Sequence, residues 1–252
     1  MCGRYASSRR PQDLVEEFEV DESRVATPLE PDYNVAPTKE VYAVLERPPR
    51  EDGPTAPSPR QLRVLRWGLV PSWAKDASIG SRMINARMET VAEKPAFRKA
   101  FATRRCLLPA DGYFEWYPTS ELTKAGKPRK QPFFIRPKDG GVLAMAGLYE
   151  IWRDPARPDD DPEAFRWTST VLTTRAEDAV GHIHDRMPLM VPAERWAAWL
   201  DPRPAAADER LALLEPATPG RLEAYPVSTA VGNVRNNGPD LLDPLPLAPE
   251  TR

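Results

Sequence analysis

The chain begins MCGRY, which puts Cys2 directly behind the initiator methionine. Methionine aminopeptidases trim chains whose second residue is small, so a mature chain would begin at Cys2 and carry an α-amine and a thiol on adjacent carbons. The amine titrates near ~8 and the thiol near ~8.5, so both are partly available at neutral pH. Such a 1,2-aminothiol captures aldehydes: the amine forms an imine, and the thiol closes a five-membered thiazolidine in a step made effectively unimolecular by proximity. The alternative is a buried cysteine that serves as a small hydrophobe.

Further candidates lie in the run from 80 to 117. In an extended segment, Asn85 and Arg87 flank Ala86 and share a face, one suited to orienting a polar ligand and the other to pairing with phosphate. Glu115 stands between Phe114 and Trp116, where desolvation would raise its pKa into the range of a general acid. It also fits an exposed strand position beside core aromatics. Arg87, Arg104 and Arg105 equally fit a solvated face. The two histidines, His182 and His184, stand in GHIHDRMPLM, where a two-histidine metal site lacks a third ligand nearby. A catalytic or substrate-orienting histidine is the better reading, with a structural histidine as the alternative. Trp67 and Trp73, in RWGLVPSW, are suited either to stacking on bases or to filling a core.

The elements that must position these residues are short. Proline occurs 30 times in 252 residues, about twice its usual ~5% share, which disfavours a helical bundle. PQDLVEEFEV has the spacing of an amphipathic helix, and further helices are expected at 93–102, 192–200 and 206–214. Runs at 41–45, 62–67, 132–136, 142–152 and 167–173 read as strands. This mixed order predicts a single α+β domain over 1–238, with a mainly antiparallel sheet curled like a barrel and flanked by short helices. Pro-rich and charged stretches at 47–60 and 153–164 read as exposed or disordered insertions, and 239–252 as a flexible tail. The stretch 119–131 reads as a basic hairpin or lid.

No stretch approaches a membrane span, no signal peptide is apparent, and two cysteines are too few for a disulfide framework. These features predict a soluble cytoplasmic protein, without a membrane partner. No glycine-rich phosphate loop or metal-ligand cluster is present, so neither cofactor nor metal is expected. The net charge is only −2, yet residues 60–138 hold 17 Lys and Arg against 6 Asp and Glu, which allows a basic face on a nearly neutral protein.

Seven segments together resemble the SOS-response-associated peptidase family of abasic-site processing proteins. They are MCGRY, YNVAPT (33–38), RWGLVPSWAKD (66–76), INARMET (84–90), RRCLLPADGYFEW (104–116), HDRMPLM (184–190) and VGNVRNNGPDLL (231–242). The resemblance implies that Cys2 forms a thiazolidine crosslink with the ring-opened aldehyde of an abasic site in single-stranded DNA. It implies that Glu115 donates a proton, Asn85 orients the substrate, and His184 bonds the sugar oxygen and assists proton transfer. Arg4 and Arg87 become phosphate ligands, Asn34 orders the pocket around Cys2, and Trp67 and Trp73 support the strand and its junction with duplex. His182 lies outside the matching segment. A monomer that joins the nucleoid when bound to DNA follows from the same resemblance, as does family-type peptidase or lyase activity.

Three rivals remain at this stage. An N-terminal-nucleophile hydrolase, such as a glutamine amidotransferase, also can begin MCG, but the RHRGPD-like segment usual in such chains is missing here. A cysteine peptidase would use Cys2, His184 and Glu115 as its triad. A non-catalytic single-strand binding module would need no Cys2 chemistry.

Overall fold

The computed structural model describes residues 2–48, 58–158, 160–176, 178–203, 205–214 and 220–246. In chain order the strands are β1 (Tyr5–Ser7), β2 (Glu22–Ser23), β3 (Asp32–Val35), β4 (Glu40–Glu46), β5 (Arg60–Trp67), β6 (Asn85–Arg87), β7 (Arg105–Ala110), β8 (Gly112–Leu122), β9 (Pro128–Pro137), β10 (Leu143–Arg153), β11 (Phe165–Arg175), β12 (Arg186–Pro188) and β13 (Leu222–Pro226). The helices are α1 (Pro11–Glu17), α2 (Arg98–Thr103), α3 (Asp178–Gly181), α4 (Trp196–Leu200) and α5 (Ala207–Ala212).

Antiparallel pairings run from β11 through β10, β7 and β4 to β5, and a parallel pairing of β5 with β11 closes the ring into a five-stranded barrel. The α+β architecture expected from the sequence is therefore the observed one. The alternation along β4 explains how the barrel is built. Val41, Ala43 and Leu45 belong to the interior with Leu65, Cys106 and Met145, while Tyr42 and Val44 pack outward with Leu14, Phe18 and Trp199 of the flanking helices. Both faces of these strands are buried, which is why they read as continuous apolar runs.

A second antiparallel sheet, in the order β13, β9, β8, β1, β3, lies against the barrel. One of its faces contributes Cys2, Tyr5, Val35, Tyr113 and Ile135 to the barrel's core cluster. Its other face packs Ala6, Phe114 and Phe134 against Val227, Val231 and Leu241. The seam between barrel and sheet is thus where Cys2 sits.

Several expectations need correction. The helices are shorter than their apolar spacing suggests: the one expected at 93–102 begins only at Arg98, after Pro95, and the one at 192–200 opens with a 3-10 turn at Ala193–Arg195. The carbonyls at the ends of α2 and α4 converge on buried Arg105, which donates to Phe101, Ala102, Trp199 and Asp201. The described residues of the 153–164 stretch are largely exposed, as expected, but ordered by Arg157, which pairs with Asp161 and Glu163, and by buried Ala164. Most of 47–60 lies outside the described residues, but Arg60 begins β5 and bonds the Phe18 carbonyl. The domain also continues past 238, since Pro239–Leu242 forms a 3-10 turn with Leu241 buried, and Leu245 donates to the Pro226 carbonyl. Residues 247–252 of the expected tail lie outside the described residues. The stretch 119–131 is a hairpin, turning at Gly126.

One backbone crossing holds the WGLVPSW loop in place. A Cβ on Gly68 would come within 2.6 Å of the Gly80 carbonyl oxygen, and a Cβ on Gly80 within 2.6 Å of the Gly68 carbonyl oxygen. Gly80→Ala is expected to destabilise the protein by about 1–3 kcal/mol through overpacking, which chemical denaturation would read as a lower midpoint with an unchanged slope.

Candidate functional site

Four chain segments far apart in sequence meet at the seam. Cys2 is fully buried just ahead of β1, and its thiol points toward the Arg4 carbonyl at 3.9 Å. The Asn85 amide, on β6, donates to the Cys2 carbonyl at 2.7 Å. Glu115, on β8, is 4% exposed and acts electrostatically on both Cys2 and His184. Cys2, Asn85, Glu115 and His184 are therefore brought together, although they span 183 positions of the chain.

Burial shifts two titratable groups of this cluster. Burial pushes the Glu115 carboxyl above the usual carboxylate range, with the nearby His184 pulling the other way. Burial, with the Glu115 charge added to it, pushes the Cys2 thiol well up. Acid and thiol each retain their protons beyond the pH at which they would lose them in water. His184 is one-third exposed, and its Nδ1 lies 3.0 Å from the Arg186 backbone nitrogen and 2.9 Å from Asp185 Oδ1. The nitrogen serves one partner at a time: unprotonated it accepts from Arg186 N–H, and protonated it donates to Asp185. Each protonation state of the imidazole thus has a partner. Asn85 Oδ1 is buried and has no hydrogen-bond partner among the described residues, which leaves an acceptor beside Cys2.

Arg4 is fixed more tightly than a solvent-facing arginine. Its Nη1 donates to Asn34 Oδ1 at 2.7 Å and to the Val231 carbonyl at 2.9 Å, and its guanidinium lies 5.7 Å from the Trp116 ring centre. Asn34 is itself fully buried, and its amide donates to the carbonyls of Val231, Asn233 and Asn236. Arg4 is thus a half-buried brace between Asn34 on β3 and the 231–236 loop. Arg87 projects outward from β6, opposite buried Ala86.

The tryptophans part company. Trp73 is 59% exposed, whereas Trp67 has no exposure, packs 5.1 Å from Tyr5 and donates from Nε1 to the Ile84 carbonyl. Trp67 cannot support a strand directly; it fixes the residue next to Asn85. His182 is exposed and sits on the turn after α3. Two neighbours of the cluster were passed over in the sequence. Trp116 was legible only through its adjacency to Glu115, and Arg186, which pairs bidentately with Glu89 at 2.6 and 3.0 Å, only through its place in HDRMPLM. No group of three or more metal-ligating side chains occurs among the described residues. No helix among them is long and apolar enough to cross a membrane. A surface hollow of about 680 Å3, lined by Asp13, Glu16, Arg60 and Trp196, lies apart from this cluster.

Two predictions follow from the geometry of burial. Because burial holds the folded pKa of Glu115 above its unfolded value, the folded state keeps a proton that the unfolded state has lost once the pH passes the ordinary carboxyl range. Stability therefore declines from there as the pH rises through the folded pKa. Melting temperatures of Glu115→Gln and wild type should diverge between pH 4 and 8, with the variant gaining at the upper end; parallel profiles would show that this carboxyl carries no folding-linked proton. Asn34→Ala removes one of the two acceptors of Arg4 Nη1 and the side-chain donor shared by the loop carbonyls, and urea unfolding should show a loss of about 1–3 kcal/mol.

Comparison with known proteins agrees with this architecture along nearly its whole length. The sequence pattern of "SOS response associated peptidase (SRAP)" matches residues 1–234. The chain is 38% identical over 243 residues to "Abasic site processing protein YoqW" of Bacillus subtilis, covering 96% of this chain and 99% of the relative. It is 32% identical over 254 residues to YedK of Escherichia coli, also named an abasic site processing protein, covering 97% and 100%. With HMCES of Mus musculus, similarly named, it shares 30% over 246 residues, covering 86% of this chain and 66% of the relative. A crystal structure of a Bacteroides thetaiotaomicron protein superposes with a TM-score of 0.77 at 25% identity, covering 97% of this chain and 100% of that one. The chain belongs to the SOS response associated peptidase family.

Proposed function

We propose that this protein recognises abasic sites in single-stranded DNA and captures them covalently through Cys2 after removal of Met1. The observation that carries this reading is the meeting of a buried thiol, a buried acid whose pKa desolvation raises and a partly exposed imidazole around the residue that would become the amino terminus. The names of its relatives, YoqW, YedK and HMCES, point to the same lesion.

The chemistry balances without a cofactor. The Cys2 amine adds to the aldehyde carbon of the ring-opened sugar, protonated Glu115 delivers its proton to the departing hydroxyl so that water leaves, and the nitrogen's remaining proton returns to the Glu115 carboxylate to give an imine. The thiol then adds to the imine carbon, and its proton passes to the imine nitrogen to complete a thiazolidine. A thiol whose pKa is raised by burial is a poor opening nucleophile, which orders the steps as amine first and sulfur second. His184 would bond the sugar oxygen and relay protons, and Asn85 would hold the terminus through the Cys2 carbonyl. Arg4 and Arg87 would take phosphates, and Trp73 would support the strand. A hydrolysable imine leaves lyase chemistry open to the same site, and Met1 is the peptide that the family's peptidase name would concern. In this reading the protein works as a cytoplasmic monomer that joins the nucleoid during a DNA damage response.

Intact mass, before and after incubation with a single-stranded oligonucleotide bearing one abasic site, tests the proposal. The expected result is loss of Met1 and a one-to-one adduct in wild type, no adduct with Cys2→Ala, and only a borohydride-reducible imine with Cys2→Ser. Retained Met1, or an adduct that persists in Cys2→Ala, would overturn it. Release of ammonia from glutamine would point instead to an N-terminal-nucleophile hydrolase.

A further inference from the structure

The strand that carries Glu115 does not end at the site. β8 and β9 continue together as a two-stranded ribbon, with Tyr117 opposite Gln131 and Leu122 opposite Pro128. Neither edge of this extension has another strand beside it: β1 meets β8 only at Gly112 and Tyr113, and β13 meets β9 only from Phe133 to Pro137. Residues 120–130 are all exposed. An isolated two-stranded hairpin is at best marginally stable in water, so this extension contributes little to the fold that holds it.

Its composition suggests a use. Between 119 and 131 the ribbon holds Lys124, Lys127, Arg129 and Lys130 against the single carboxylate of Glu121. The one ion pair on it, Arg129 with Glu121 at 3.9 Å, joins side chains 64% and 75% exposed and is worth little. Strand alternation puts Tyr117 on the same face as Glu115, about 6.6 Å further along, and Tyr117 is 40% exposed. Leu122, near the tip, is 61% exposed. An aromatic ring beside exposed cations on both faces and at the turn of a ribbon, Arg129 on the Tyr117 face, Lys130 on the other and Lys124 and Lys127 at the tip, is suited to hold a single strand by stacking and phosphate contacts. From Glu115 to Leu122 the ribbon reaches about 23 Å, comparable to roughly seven phosphates of a stacked strand at ~3.4 Å each.

We propose that the β8–β9 ribbon is an arm that holds the single-stranded DNA leading away from the lesion, with Tyr117 stacking on a base next to the site and the ribbon lysines tracking the phosphates. This rests on the DNA reading above, and it adds a surface outside the reacting cluster that sets affinity rather than chemistry.

The test is Lys124→Glu/Lys127→Glu/Lys130→Glu in the full chain, alongside Lys94→Glu/Arg98→Glu/Lys99→Glu, which makes the same charge change at exposed positions on and just before α2. Binding of a fluorescent single-stranded oligonucleotide without an abasic site, measured across salt concentrations, reads the arm independently of crosslinking. The ribbon variant should lower the slope of log K against log salt by about 2, as expected for three lost phosphate contacts at ~0.7 each, and the α2 variant should leave the slope unchanged. With an abasic oligonucleotide at saturating concentration and low salt, the ribbon variant should form adduct at the wild-type rate within about twofold. An unchanged slope, an equal loss in both variants, or a slowed reaction at saturation would each overturn the proposal. Absence of any adduct in wild type, with the slope change intact, would instead remove the crosslinking reading and leave the arm.

Discussion

The buried amide of Asn34 is the joint on which the site depends. It satisfies three carbonyls of the 231–236 loop with its nitrogen and one arginine with its oxygen, so a single side chain reconciles the start of the chain with its far end. Without it the Arg4 guanidinium would keep only its bond to the Val231 carbonyl, and the Asn236 carbonyl would lose its side-chain donor. Arg4 in turn fixes the backbone two residues after Cys2, whose own carbonyl is held from the opposite side by Asn85. The terminus is therefore clamped between one residue attached to the sheet and one attached to the barrel.

The same enclosure sets the electrostatic character of the cluster. Burial pushes both the Glu115 carboxyl and the Cys2 thiol toward their protonated forms. The charged groups stand further out: Arg186 is neutralised by Glu89, and Arg87 and the β8–β9 ribbon are exposed. Buried titratable groups and a basic exterior divide chemistry from attraction.

Much of the fold was legible because its strands are buried on both faces. The runs at 41–45, 62–67, 132–136 and 167–173 fall within strands, and 142–152 matches β10 to within one residue, with apolar residues on both faces buried. The end of α4 was not legible, because the partner of its Trp199 carbonyl, Arg105, comes from 94 residues away. The tail misled for the same reason: Pro239 reads as linker, yet Leu241 finds a cover beneath Phe114 and Phe134. Residue types and spacing pointed to Cys2, Asn85, Glu115 and His184 one at a time, and only the folded chain brings them to one place. Trp67 showed the limit most clearly, since a tryptophan that faces DNA and one that supports a neighbouring backbone look alike in sequence.

The Asn34 joint also imposes an order in time. Its three carbonyl partners lie 197 to 202 residues downstream, and the barrel is closed by a pairing between β5 and β11 about a hundred residues apart. Contacts of such separation form late, and at ~5–20 residues per second the last of them leaves the ribosome on the order of 10–50 s after the first residues. Throughout that interval the amino terminus is an open, flexible end. The enclosure that later shields Cys2 from solvent cannot exist while the chain is being made, so solvent and reagents reach that thiol only before folding closes over it.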